Sequence, residues 1–363
     1  MATEEARRNP VRRKATPLAA NDNQTSAREI QSILSRTVVG QERAVHELST
    51  LLAMHLHWFV SADLRHPTPN ALLVGPSGVG KTHAIVTAAQ ILNVPLVIVD
   101  ATRLFPYGDQ GPSFDSVLIQ LISAARRLVR TQLAIGNNDF AEVDELELAR
   151  RGIIFIDEFD KLADQHDSSS SRNQFLQRRL LQFVDGATIS LNPLPGPGEQ
   201  EIIFETAGLL FVAAGAFTNL DRDAGRRSQV ALRSMDSSDP ALFEDVVRYG
   251  FIPELIARFP VKVQFDSLDA SHLEAILCNE NVNPAAFYTQ YFHSLGVDVE
   301  VTRDARQYIA REARKFGVGA RGLHQFLFPV FACLSRELEV RDRKTFTLDA
   351  EQAARLSRQN RVK

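Results

Sequence analysis

An α/β architecture is predicted for this chain: a parallel sheet between helices, followed by a smaller, mainly helical C-terminal domain. Short, near-continuous apolar runs alternate with segments of helical period, the pattern of strands buried on both faces. One run, Ala71–Val74, is followed by the glycine-rich turn Gly75–Gly80 and then by a helix-like segment. After about Asp266 the strand-like runs give way to helical spacing, with one short alternating segment, Val297–Val301.

Taken in order, residues 1–27 are polar with few large apolar side chains, the composition of a disordered tail. Their basic cluster, Arg7-Arg8 and Arg12-Arg13-Lys14, reads as a solvated tail ahead of an arm for an anionic partner. Helical periodicity starts near Ala27 and continues through Ile30, Ile33 and Leu34, then Val45, Leu48, Leu52 and Leu56. Strands are expected at 71–74, 96–99, 153–156 and 209–213. Loops are expected at Asp164–Arg172, Asn192–Gly198 and Asp221–Pro240, and a short acidic helix within 134–150. Helices follow from Asp304 to Phe316 and from Arg321 to about Val340. The domain boundaries drawn on these shifts are 1–27 (tail), 28–265 (large domain), 266–345 (small helical domain) and 346–363 (C-terminal tail).

The 363 residues suffice for two domains, and 44% hydrophobic with 23% charged residues is ordinary for a soluble globular protein. A net charge of −3 gives no global pull toward nucleic acid or an anionic membrane, so neither is expected as a partner. The two cysteines, Cys278 and Cys333, form no CxxC, so neither a disulfide framework nor a zinc site is expected. No apolar run approaches a membrane span and no signal peptide is evident, so a cytoplasmic location is expected.

The chemistry begins at Gly75-Pro76-Ser77-Gly78-Val79-Gly80-Lys81-Thr82, which matches G-x-x-x-x-G-K-[ST] in its strand–loop–helix setting. Glycines let successive N–H groups face an anion, and the helix that follows turns its positive end to the same charge. Lys81 would reach the outer phosphates of a nucleotide and Thr82 would ligate Mg²⁺. A chance match in a chain this long arises about one time in a hundred. A second apolar strand, Ile153–Ile156, ends in Asp157-Glu158. Carboxyl ends of parallel strands meet at one edge of a sheet, which places both carboxylates beside the phosphate loop. Asp157 is the candidate for Mg²⁺, through water, and Glu158 for polarising the attacking water.

With these motifs in place the chain resembles the AAA+ ATPases, and within them the ClpX-like Clp/Hsl unfoldase group, over roughly residues 30–340. Val38-Val39-Gly40-Gln41 is similar to the segment that cradles adenine in that group, which marks Val38 and Val39. Phe159-Asp160-Lys161, Gln177–Leu181 with Val184-Asp185-Gly186, Ala214–Phe217, Tyr249–Val261 and Gly319–Leu323 resemble further family motifs in the right order. The resemblance implies ATP and Mg²⁺, a homo-hexameric ring, and a protein substrate or adaptor. It also implies that Arg258 acts on the nucleotide of a neighbouring subunit and that Arg321, from the small domain, contacts the nucleotide of its own subunit.

Departures bear on function. The family's pore loop carries an aromatic between glycines, whereas this chain reads Tyr107-Gly108-Asp109-Gln110-Gly111. Asp109 replaces the gripping aromatic, and Tyr107 stands as its substitute or as a packing residue. The interval Thr218–Phe251 holds no Ile-Gly-Phe-type docking tripeptide, so a ClpP-type peptidase is not expected as a partner. The zinc-binding N-terminal domain of the group is not evident. No polar sensor residue stands at Ala213 or Ala214, which leaves Thr218 or Asn219. Two functions fit: an ATP-hydrolysing unfoldase or remodeller working as a ring without a standard peptidase, or an ATP-dependent regulatory assembly module that threads no polypeptide.

Overall fold

The computed structural model describes residues 26–61, 68–104, 113–163, 170–191, 201–218, 240–340 and 345–359. The chain enters through α1 (Ala27–Leu34), opened by a capping box in which Ser26 and Glu29 satisfy each other's backbone N–H groups. Helix α2 (Glu42–Ser61) follows. A parallel sheet is then built from β1 (Ala71–Val74), β2 (Leu96–Asp100), β3 (Ile153–Asp157), β6 (Leu210–Gly215) and β7 (Val261–Gln264), in the order β2-β3-β6-β1-β7. Between them run α3 (Lys81–Ile91), α4 (Phe114–Ala134), α5 (Glu145–Ala149), α6 (Ser170–Val184), the antiparallel pair β4 (Thr188–Leu191) and β5 (Ile202–Glu205), α7 (Pro240–Arg248) and α8 (Pro253–Ala257).

Strand alternation explains the apolar runs. Ala71, Leu73, Ile153, Phe155, Leu210 and Val212 face one cluster with α1, α2 and α3. Leu72, Ile154, Ile156, Phe211 and Ala213 face a second with α4 and α6. Both faces are covered, so nearly every strand residue is apolar. In-register pairing of Val74 with Gly215 and of Asp100 with Asp157 brings the carboxyl ends of these strands to one edge.

The four expected strands are present. Strand β7 and the β4–β5 hairpin were not anticipated. β7 is four residues long, follows Pro260, and carries a buried Lys262 whose ammonium lies 5.3 Å over the Phe243 ring. Its alternation Val261-Lys262-Val263-Gln264 is a strand signal only four residues long, unlike the continuous apolar runs of the other strands.

Beyond β7 come α9 (Ala270–Cys278), α10 (Pro284–Ser294), β8 (Asp298–Val301), α11 (Arg303–Arg314), α12 (Arg321–Val340), β9 (Thr345–Leu348) and α13 (Ala350–Gln359). Residues 346–359 are therefore not a tail. β9 pairs in parallel with β8, and Phe346, Leu348, Ala353 and Leu356 are buried. The alternation Thr345-Phe346-Thr347-Leu348 carried that signal in four residues, too few to stand out. The N-terminal residues 1–25, including the basic cluster, lie outside the described residues.

Candidate functional site

A cleft of about 690 Å³ opens at the carboxyl edge of the sheet, lined by the Ser77–His83 turn, the end of β3, the end of β6, Thr37–Val39, and Ala320 and Arg321. Gly80 caps α3 in the left-handed region, at φ 103°, with no side chain closing the helix start. The first-turn N–H groups therefore point at the cleft, the arrangement that suits an anion. Gly78, at φ 76°, lies so close to the Val318–Gly319 backbone that a Cβ there would stand 2.1 Å from the Val318 carbonyl oxygen. Only glycine fits this close approach.

Lys81 is 8% exposed, and its Nζ donates to the carbonyls of Gly75 at 2.6 Å and Pro76 at 2.8 Å. Burial lowers its pKa, the charges of Asp157 and Asp160 oppose that shift, and Arg321 adds to it. The ammonium is thus a partly desolvated cation in a loop shaped for an anion. Thr82 Oγ1 donates to Asp157 Oδ2 at 3.0 Å. A hydroxyl and a carboxylate brought together at a phosphate loop are the hard oxygen donors that suit Mg²⁺, so the residues present fit that ion.

Asp157 Oδ1 accepts from the Glu158 N–H at 2.9 Å. Glu158 itself has φ 54° and ψ 33°, the left-handed region, as β3 turns into a 3₁₀ segment, Phe159–Leu162. For a residue with a Cβ this conformation costs about 1–2 kcal/mol. It delivers the Glu158 side chain to the cleft lining one residue after Asp157.

The small C-terminal region closes one wall. Arg321 Nη1 donates to Ser77 Oγ at 2.9 Å, and Ala320 N–H donates to the Gly78 carbonyl at 2.9 Å. Val38 and Val39 lie in the lining with Leu268, Ile276 and Val282, which makes one end of the cleft apolar.

The sequence comparisons bear on this geometry. The family described as AAA domain (Cdc48 subfamily) matches residues 66–262, more than half of the chain. The ATP-dependent Clp protease ATP-binding subunit ClpX 2 of Wolinella succinogenes is 31% identical over 330 residues, 87% of this chain and 79% of that protein. ClpX of Borrelia duttonii is 32% identical over 323 residues, 83% of this chain and 71% of that protein. ClpX of Porphyromonas gingivalis is 28% identical over 344 residues, 88% of this chain and 80% of that protein.

The chain belongs to the ClpX-like AAA+ ATPases. The chain is accordingly an ATPase, and unfoldase or chaperone-type activity is the function of the family. Among the described residues no helix is long and apolar enough to cross a membrane.

Within this ClpX-like frame the structure separates the remaining residues. Arg258 does not line the cleft. It caps α8, its carbonyl accepts from Asn70 Nδ2 at 3.0 Å, and Asn70 precedes β1. Arg258 is therefore anchored at the amino ends of the strands. The four residues of β1, about 13 Å of strand, separate that end from the phosphate loop. Gln41, next to the Val38-Val39 segment, makes a backbone clamp. It is 3% exposed, donates to the Asp266 carbonyl at 2.8 Å, and accepts from the Asp266 N–H at 2.9 Å. It holds the backbone where β7 gives way to the C-terminal helices.

Tyr107, Gly108, Asp109, Gln110 and Gly111 lie outside the described residues, as does Asn219. Ala213 and Ala214 are wholly buried in β6, and Thr218 does not line the cleft. Sequence reasoning missed Asp160, Asn281 and Val282 as cleft residues. Asp160 had a signal in the Phe159-Asp160-Lys161 motif, whereas Asn281 and Val282 reach the site only through the packing of the small region.

Proposed function

We propose that this ClpX-like ATPase is a protein unfoldase or remodeller that works as a homo-hexameric ring on a protein substrate, without a ClpP-type peptidase. The observation that carries the catalytic part is the Thr82–Asp157 hydrogen bond at 3.0 Å with Glu158 held beside it. ATP is the substrate. The loop N–H groups from Ser77 to Gly80 and the Lys81 ammonium bind its phosphates, Lys81 leaving the Gly75 and Pro76 carbonyls to do so. Val38 and Val39 receive the base. Thr82 and, through water, Asp157 would hold Mg²⁺, whose charge would offset that of the phosphates.

Glu158 accepts a proton from the attacking water as its oxygen bonds to the γ-phosphorus and the bond to the bridging oxygen breaks. ADP and phosphate leave. Arg258 acts on the site of a neighbouring subunit, since its own lies at the other end of the sheet. Its guanidinium meets the charge that develops on the transferring group. Arg321 bonds the phosphate loop from the first residue of α12, so the same contact couples nucleotide state to the orientation of the small domain. That domain begins near Asp266 and runs through α13.

Gly108-Asp109-Gln110-Gly111 favours a second reading, an assembly module that threads no polypeptide, because a carboxylate is hydrated and repels acidic segments. A folded reporter bearing a terminal tag, offered with ATP, separates the two. ATP-dependent unfolding that disappears in Tyr107→Ala supports threading. ATP hydrolysis with an intact reporter supports the module.

A further inference from the structure

Asp160 is a buried carboxylate that this reaction leaves unused. It is 3% exposed and lines the cleft beside Asp157 and Glu158. Among the described residues its Oδ2 is shielded from solvent and accepts no hydrogen bond. Lys161 Nζ stands 3.8 Å from it, beyond hydrogen-bond reach, on a side chain that is itself 59% exposed. A buried carboxylate with an unmet acceptor destabilises the fold that contains it. Such a group persists where the site uses it.

The surroundings define the use. The Asp160 Cβ packs against the end of β6, 3.0 Å from where a Cβ on Gly215 would stand. That strand end brings only Gly215 and Ala216 to the cleft, with Ala213 and Ala214 buried behind them. Asp160 thus supplies the polar atom that β6 lacks. An ionised carboxylate only accepts hydrogen bonds, so it repels phosphate oxygens and matches a proton donor. Mg²⁺ keeps several of its waters and binds through one or two carboxylates, and Thr82 with Asp157 marks its place.

We propose that Asp160 is a positioning residue for the hydration shell of the bound cation: it accepts a hydrogen bond from a Mg²⁺-bound water and thereby strengthens the contribution of Mg²⁺ to nucleotide binding. This rests on the reading of the cleft as a Mg²⁺–nucleotide site.

The test is the affinity of the full chain for ATPγS, a slowly hydrolysed analogue, measured in excess Mg²⁺ and in EDTA. In Asp160→Asn the affinity in excess Mg²⁺, and with it the ratio, falls about tenfold, the size of one lost charge-assisted hydrogen bond, while the affinity in EDTA does not fall, since Asp160 repels phosphate. The nucleotide-free variant still folds, as read by its melting curve. Asp160→Ala, which removes the acceptor as well as the charge, lowers the ratio at least as far. A wild-type ratio in Asp160→Asn overturns the proposal, and so does loss of the fold in both variants, which would make the carboxylate a structural group. Equal affinities with and without Mg²⁺ in the wild-type protein would instead overturn the underlying reading of the cleft.

Discussion

Arg258 Nε lies 2.5 Å from Asp185 Oδ1, an ion pair that ties the end of α8 to the residue after α6. The two side chains are 55% and 37% exposed, so solvent screens the pair and its worth to stability is about 0–1 kcal/mol. A guanidinium held this lightly can leave Asp185 for a stronger anion at small cost. Asp185→Asn is therefore expected to shift the melting temperature by about 4 °C or less. Arg258→Ala is expected to lower ATP turnover by about a thousandfold with nucleotide binding intact, read by steady-state hydrolysis and fluorescent-nucleotide titration. Loss of binding in that variant would give Arg258 a role within its own subunit.

Gln41, itself buried, supports the junction at the exposed residue Asp266 through two part-buried hydrogen bonds. Gln41→Leu keeps the bulk and removes both hydrogen bonds, each worth about 0.5–1.5 kcal/mol. Denaturant unfolding should show a loss of about 1–3 kcal/mol. A loss below about 0.5 kcal/mol would mean that this clamp does not hold the junction.

His55 gives a pH signature. It is buried on α2, with Nδ1 3.2 Å from Thr68 Oγ1 and Nε2 3.0 Å from the Arg151 carbonyl oxygen. Burial pushes its pKa down to about 4, the Arg151 carbonyl opposing that shift and the Arg151 charge adding to it. Between pH 6.5 and pH 4 the unfolded chain carries a proton on this ring that the folded chain lacks. Its contribution is therefore complete above pH 6.5 and lost as the pH falls toward 4, by about 3 kcal/mol in all. Melting curves across that window should be flatter in His55→Gln than in the wild-type protein. An unchanged slope would contradict the assignment.

Much of the fold was legible because buried parallel strands must be almost wholly apolar, as Ile153–Ile156 is. The phosphate loop and Asp157-Glu158 were legible because their chemistry is local: consecutive residues shape one turn. What escaped depends on contacts distant in sequence. Lys262 reads as a surface residue until Phe243 covers it. Asp160 reads as solvated until β6 packs against it. Gln41 reads as part of a base-binding motif, and only the meeting of residues 41 and 266 reveals a clamp.

The claim that each nucleotide site is completed by a neighbour is tested most directly by mixing two inactive variants. Glu158→Gln removes the group that polarises water but leaves Arg258, and Arg258→Ala does the reverse. Each alone is expected to lose ATP turnover by about a hundredfold or more. In mixed rings an Arg258→Ala subunit with its own Glu158 receives Arg258 from a Glu158→Gln neighbour, so hydrolysis returns to a substantial fraction of the wild-type rate. A mixture as inactive as its two components, although the subunits co-assemble, would contradict the account.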